Sequence, residues 1–97
     1  MSHRPLEKTI VAKVIAAARQ RGWWAMKTHG SAFGVAGLPD ILVIREGRAA
    51  WMEAKRPGES PTRIQEHRMR ELSAAGCPVT VVTSAGDAIE FLEGIDS

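Results

Sequence analysis

Two runs rich in apolar residues, Asp40 to Arg45 and Arg48 to Lys55, are separated by nothing but Glu46-Gly47. So short a gap leaves one arrangement, a tight hairpin, because antiparallel strands can be joined by two residues whereas parallel strands need a crossover of about a dozen or more. The register follows from the loop. With Arg45 opposite Arg48, Asp40 faces Glu53, and Lys55, two residues further on, lies on the same side of the sheet as Glu53. A three-residue loop with a bulge is the alternative, since Glu-Gly is a weaker two-residue turn than Asn-Gly.

The elements around the hairpin are read from periodicity. Between Leu6 and Arg21, the apolar residues Leu6, Ile10, Val11, Val14, Ile15 and Ala18 recur at helical spacing, with Pro5 suited to the first turn and Gly22 to the stop. Trp23 to Thr28 is a short strand candidate, and His29 to Pro39, with three glycines, is a loop. Arg56 to Ser60 breaks the pattern. Thr62-Arg63-Ile64-Gln65 then fits a capping box for a helix running through Leu72 and ended by Gly76 and Pro78. Pro78 to Thr83 reads as a buried strand, and Ser84, with Asp87 three residues on, opens a last helix carrying Ile89, Phe91 and Leu92. A strand, helix, strand connection returns parallel. The order αβββαβα therefore predicts an α/β fold with a mixed four-stranded sheet, three antiparallel strands and one parallel addition, flanked by helices on both faces. Ninety-seven residues support one core, so residues 1–97 are expected to form a single domain.

Composition bounds the setting. Hydrophobic residues make up 44% and charged residues 25%, ordinary for a globular chain. No apolar run approaches the roughly 20 residues of a membrane helix, so no membrane partner is expected. Met-Ser-His-Arg-Pro is followed by no apolar stretch of the secretory kind, and the single cysteine, Cys77, has no partner for an internal bridge. A reducing, cytoplasmic setting is the expectation. The net charge of +2 conceals a polarity: all 13 Lys and Arg lie in residues 1–70, and residues 71–97 hold five acids and no base. Clustered positive charge is the footprint of a polyanion, nucleic acid being the commonest, though a solvated basic face looks the same.

Asp40 facing Glu53 is costly, because like charges directly opposite repel. A divalent cation offsets the repulsion, since one or two carboxylates plus waters are what Mg²⁺ accepts. With Lys55 beside them, the group suits phosphodiester hydrolysis. A cation polarises the phosphoryl oxygen and acidifies water, while an ammonium positions the nucleophile and stabilises growing negative charge. The plainer reading makes Asp40 a turn residue after Pro39, with Glu53 and Lys55 polar positions on a half-exposed strand.

Pro39-Asp40, twelve residues, then Glu53-Ala54-Lys55 resembles the signature of the PD-(D/E)XK nucleases, whose restriction-endonuclease-like core is αβββαβ. With Glu7 on the first helix, Gly37-Leu38-Pro39-Asp40, Gln65 on the next helix, and Gly76 followed by Val79 to Ser84, the chain looks like a stand-alone VRR-NUC domain, a virus-type replication-repair nuclease. The resemblance runs from Glu7 to about Leu92. It implies Asp40, Glu53 and the main-chain carbonyl of Ala54 as ligands of Mg²⁺ or Mn²⁺, Lys55 as the catalytic lysine, and Gln65 as a residue orienting the lysine or the water. Glu7, on the helical stripe of Val11 and Val14, could hold a water or a second ion; the alternative is a first-turn acid favoured by the helix dipole.

Lys27, His29 and Ser31 border the glycine-containing loop, and Arg56 follows Lys55; these are candidate nucleic-acid contacts. His3, His29 and His67 show no zinc-ligand spacing with Cys77. The resemblance implies a DNA endonuclease, and stand-alone members of the family act as homodimers on four-way (Holliday) junctions. A flap or single-strand nuclease and a non-catalytic nucleic-acid binding module are the alternatives. Trp23, Trp24 and Phe33 are candidate interface residues, with core positions as the competing reading.

Overall fold

A computed structural model describes residues 5–28 and 34–96. The elements are α1 (Glu7–Gln20), β1 (Trp24–Lys27), β2 (Ile41–Arg45), β3 (Arg48–Ala54), α2 (Arg63–Ala74), β4 (Val79–Val82) and α3 (Ala85–Asp96). The strands form one sheet in the order β1-β2-β3-β4, antiparallel at the first two junctions and parallel at the third. The expected mixed sheet is present. Arg45 pairs with Arg48 and Ile41 with Met52, which is the register of a two-residue loop without a bulge.

That loop uses positive φ at both residues, 52° at Glu46 and 76° at Gly47. Such angles define the turn whose twist matches that of the strands it joins. Glycine takes the second position freely; Glu46 is the one non-glycine residue with positive φ among those described.

One face of the sheet carries the core. Ala25, Ile41, Val43, Ala50, Met52, Ala54 and Val82 pack with Ile10, Val11, Val14 and Ala18 of α1 and with Ala88 and Leu92 of α3. The apolar period of α1 thus delivers its stripe to the strands. The helix begins one residue later than the sequence implies: Leu6 is its N-cap, and Pro5 precedes the cap instead of filling the first turn. At the other end Gly22, at φ 85°, lets Trp23 N–H reach back to the Ala18 carbonyl.

The helix α2 is attached differently. It has no buried residue, so burial of an apolar stripe does not hold it. Instead Gly37 packs so closely on it that a Cβ there would come within 2.8 Å of the Ile64 carbonyl oxygen, and Arg68 Nε donates to the Ala36 carbonyl at 2.7 Å. Only glycine permits this approach, and the φ of 81° at Gly37 favours it as well. The segment leading to Asp40 is thereby docked on the first turns of α2.

The strained position at Glu46 yields a test. Glu46→Asn should stabilise the fold by about 0.5 to 1 kcal/mol, raising the melting temperature by about 2 to 8 °C, because Asn accepts positive φ more readily. A lower melting temperature in differential scanning calorimetry would contradict the assignment of strain to this residue.

Candidate active site

Asp40 lies where the hairpin ladder stops. In a two-residue hairpin the flanking residues exchange hydrogen bonds, so 45 with 48, 43 with 50 and 41 with 52 are bonded pairs, and 39 with 54 would be next. Proline has no N–H. The ladder donor that another residue at 39 would offer to the Ala54 carbonyl does not exist. The Ala54 N–H turns instead to Asp40 Oδ2 at 3.2 Å. Thr28, fully buried at the end of β1, fixes the same corner: its N–H donates to the Asp40 carbonyl at 2.8 Å and its hydroxyl to the Pro39 carbonyl at 2.7 Å.

Since Met52 and Ala54 point into the core, Glu53 and Lys55 point to the opposite face by strand alternation. Glu53 is 0% exposed and Lys55 8%. Glu53 Oε2 accepts from Gln65 Nε2 at 3.1 Å, and Lys55 Nζ stands 3.7 Å from the same oxygen. Oε1, also buried, has no hydrogen-bond partner among the described residues. Glu7, from the first turn of α1, reaches this end of the sheet, and Glu7, Asp40 and Glu53 each present an oxygen within 4.8 Å of the others.

Two of the three carboxyls, Glu53 and Glu7, hold their protons more tightly than usual. Burial foremost, then the neighbouring Asp40, pushes Glu53 up to about 8, against the opposing pull of Lys55. Burial followed by Asp40 also raises Glu7. Orphaned buried oxygen, convergent hard donors and raised carboxylate pKa values are the properties of a site that fits a divalent cation.

Gln65 forms the expected capping box and also reaches the acidic cluster. Its Oε1 accepts from the Thr62 N–H at 2.8 Å and its own N–H donates to Thr62 Oγ1 at 3.3 Å, which completes the capping box. Its amide nitrogen donates to Glu53 Oε2. Lys27 is exposed and lines a cleft of about 220 Å³ with Glu7, Lys8, Val11 and Asp40. Arg56 donates to the Pro5 carbonyl and pairs with Glu59, so its guanidinium also ties the start of α1 to the end of β3. His29, Ser31 and Phe33 lie outside the described residues. Trp23 does not belong to a surface: it is 3% exposed in the core with Arg45 stacked on its ring, whereas its neighbour Trp24 is 56% exposed. Sequence reasoning missed Thr28 and Lys8. Their place at the site depends on β1 ending beside Asp40 and on the turn of α1 that faces it, and neither carries a motif.

No protein-family model matches the chain, and no curated protein matches it either. Its backbone is similar to that of a solved structure described as a VRR_NUC domain, with a TM-score of 0.77 and 24% identity, covering 90% of this chain and 94% of that one. The chain has the VRR_NUC fold. Among the described residues no helix is long and apolar enough to cross a membrane.

The raised pKa of Glu53 makes a prediction about stability without metal. A carboxyl whose folded pKa lies above its unfolded one favours the fold while protonated, and that contribution disappears as pH rises from the ordinary carboxylate range through about 8. In a chelating buffer the melting temperature should fall between pH 5 and about pH 8.5 in the wild type, and fall less in Glu53→Gln, which should be the more stable protein at the alkaline end. Equal slopes in the two proteins would refute the assignment.

Proposed function

We propose that this chain is a Mg²⁺- or Mn²⁺-dependent endodeoxyribonuclease that hydrolyses phosphodiester bonds in branched DNA. One observation carries the reading: the buried Glu53 carboxylate, one oxygen of which has no hydrogen-bond partner among the described residues, clusters with Asp40 and Glu7 beside the Lys55 ammonium. The VRR_NUC fold supports the nuclease class. Asp40, Glu53 and the Ala54 carbonyl would hold the cation, which when bound supplies a Lewis acid for the phosphoryl oxygen and acidifies water.

The remaining chemistry belongs to the side chains. Lys55, almost buried and 3.7 Å from Glu53, is held with its charge next to the carboxylates, where it orients the attacking water and stabilises the negative charge that grows on the phosphate oxygens. Glu7, with an oxygen within 4.8 Å of Asp40 and Glu53, is the third carboxylate and would hold a water or a second ion. Lys8 and Lys27 on the adjoining cleft neutralise the flanking phosphates, and Arg56 extends the basic rim. A domain this small has little surface for choosing a DNA structure. We infer a homodimer acting on four-way junctions, with the exposed Trp24 and, across the strand pair, Ile44 at 37% exposure as its apolar contact candidates. An intracellular, reducing compartment agrees with the single thiol of Cys77.

The test is cleavage of labelled four-way, flapped, single-stranded and duplex DNA with and without Mn²⁺. Paired symmetrical nicks in the junction are expected, together with a dimer in light scattering; a monomer preferring flaps would remove the junction reading and leave the nuclease. Lys55→Ala should lower cleavage by about 100-fold or more while binding persists and weakens with salt, since affinity rests on phosphate contacts. Full activity in Lys55→Ala would exclude its role.

A further inference from the structure

We infer that Gln65 is a positioning residue that makes Glu53 a one-oxygen metal ligand and thereby favours a small octahedral cation over Ca²⁺; this rests on the cation-dependent reading above. The two oxygens of the Glu53 carboxylate have opposite surroundings. Oε2 is taken by Gln65 Nε2 at 3.1 Å and faces Lys55 at 3.7 Å, whereas Oε1 has no partner among the described residues. A cation approaching Glu53 therefore meets one oxygen free of any donor and one that already shares its lone pairs with Gln65.

The capping box fixes which end of the Gln65 amide faces the carboxylate. The Thr62 N–H can only donate, so it selects Oε1 of Gln65 at 2.8 Å and leaves Nε2 to point at Glu53. Reversal would set two donors against each other at Thr62 and two acceptors against each other at Glu53. The N-terminus of α2 thus holds the carboxylate in one rotational state. Gly37 and Arg68 dock that same end of α2 onto the chain leading to Asp40, so the two acidic ligands are adjusted against one support.

Coordination chemistry converts this into selectivity. Ca²⁺ takes six to eight oxygens and readily uses both oxygens of a carboxylate, while Mg²⁺, and Mn²⁺ like it, is bound octahedrally through single carboxylate oxygens and waters. The hydrogen bond to Oε2 competes with the two-oxygen mode that Ca²⁺ would use, because Nε2 and the cation would draw on the same oxygen.

Calorimetric titration of the full chain with MnCl₂ or CaCl₂ alone, at pH 8.5, measures the preference as a ratio of dissociation constants. Gln65→Ala frees Oε2, and the preference for Mn²⁺ over Ca²⁺ should narrow by about tenfold, the scale on which partners of metal ligands act. Gln65→Leu keeps the bulk of the side chain without a donor and should narrow the ratio as well, its fold checked by circular dichroism. Thr62→Ala removes the cap hydroxyl but keeps the backbone N–H that orients Gln65, so its melting temperature should fall while its ratio stays that of the wild type. An unchanged ratio in both Gln65 variants, or an equal change in Thr62→Ala, would overturn the inference and leave the nuclease reading standing. Absence of Mn²⁺ binding to the wild type would overturn both.

Discussion

A carboxylate withdrawn from water is the constraint around which this molecule is arranged. Glu53 sits on a central strand with no exposure, where an isolated charge would be prohibitive. Asp40 and Glu7 add to that cost, while two other neighbours answer part of it, Lys55 by opposite charge and Gln65 by a hydrogen bond. Without those neighbours the acid would be a defect. With them, and with a pKa pushed up to about 8 that lets it keep its proton near neutrality, the buried acid is tolerated.

The manner in which α2 is held follows from the same constraint. A helix that buries no residue contributes little to the hydrophobic core, yet it supplies the hydrogen bond to Glu53 and the surface on which the approach to Asp40 rests. Stability and chemistry are therefore divided between the two faces of the sheet, with the first turn of α1, which carries Glu7 and Lys8, as the exception. The α1 and α3 face carries the apolar cluster that makes the chain fold. The α2 face, attached by polar and close backbone contacts, tunes the site and can be altered with less consequence for the core.

Much of this was legible in the sequence because it is short-range. A two-residue loop dictates its register, and the register alone brings Asp40 to Glu53 and sets Lys55 beside it. Helix limits were readable for the same reason, through Gly22, Gly76 and the Thr62 to Gln65 cap. What escaped depends on where separate elements meet. Thr28 looks like any β-branched strand residue until β1 ends against Pro39, and Lys8 resembles a solvated first-turn lysine until α1 crosses the end of the sheet. Trp23 and Trp24 are indistinguishable by composition; only the placement of α1 decides that the first is core and the second surface. For Gln65 the cap was visible in the pattern, while its second partner lies across the tertiary fold.

Pro39 has a consequence for how such a site can change over generations. The oxygen at Ala54 that lacks a ladder donor belongs to the main chain, so every amino acid at position 54 would present it. Variation at Ala54, whose side chain faces the packed core, registers as a loss of fit. The genetic control of that oxygen lies across the strand pair, where any residue other than proline would restore an N–H. A drifting lineage would thus cover that oxygen by one codon at 39 while every acidic side chain stayed in place, and an inventory of its carboxylates would record no difference.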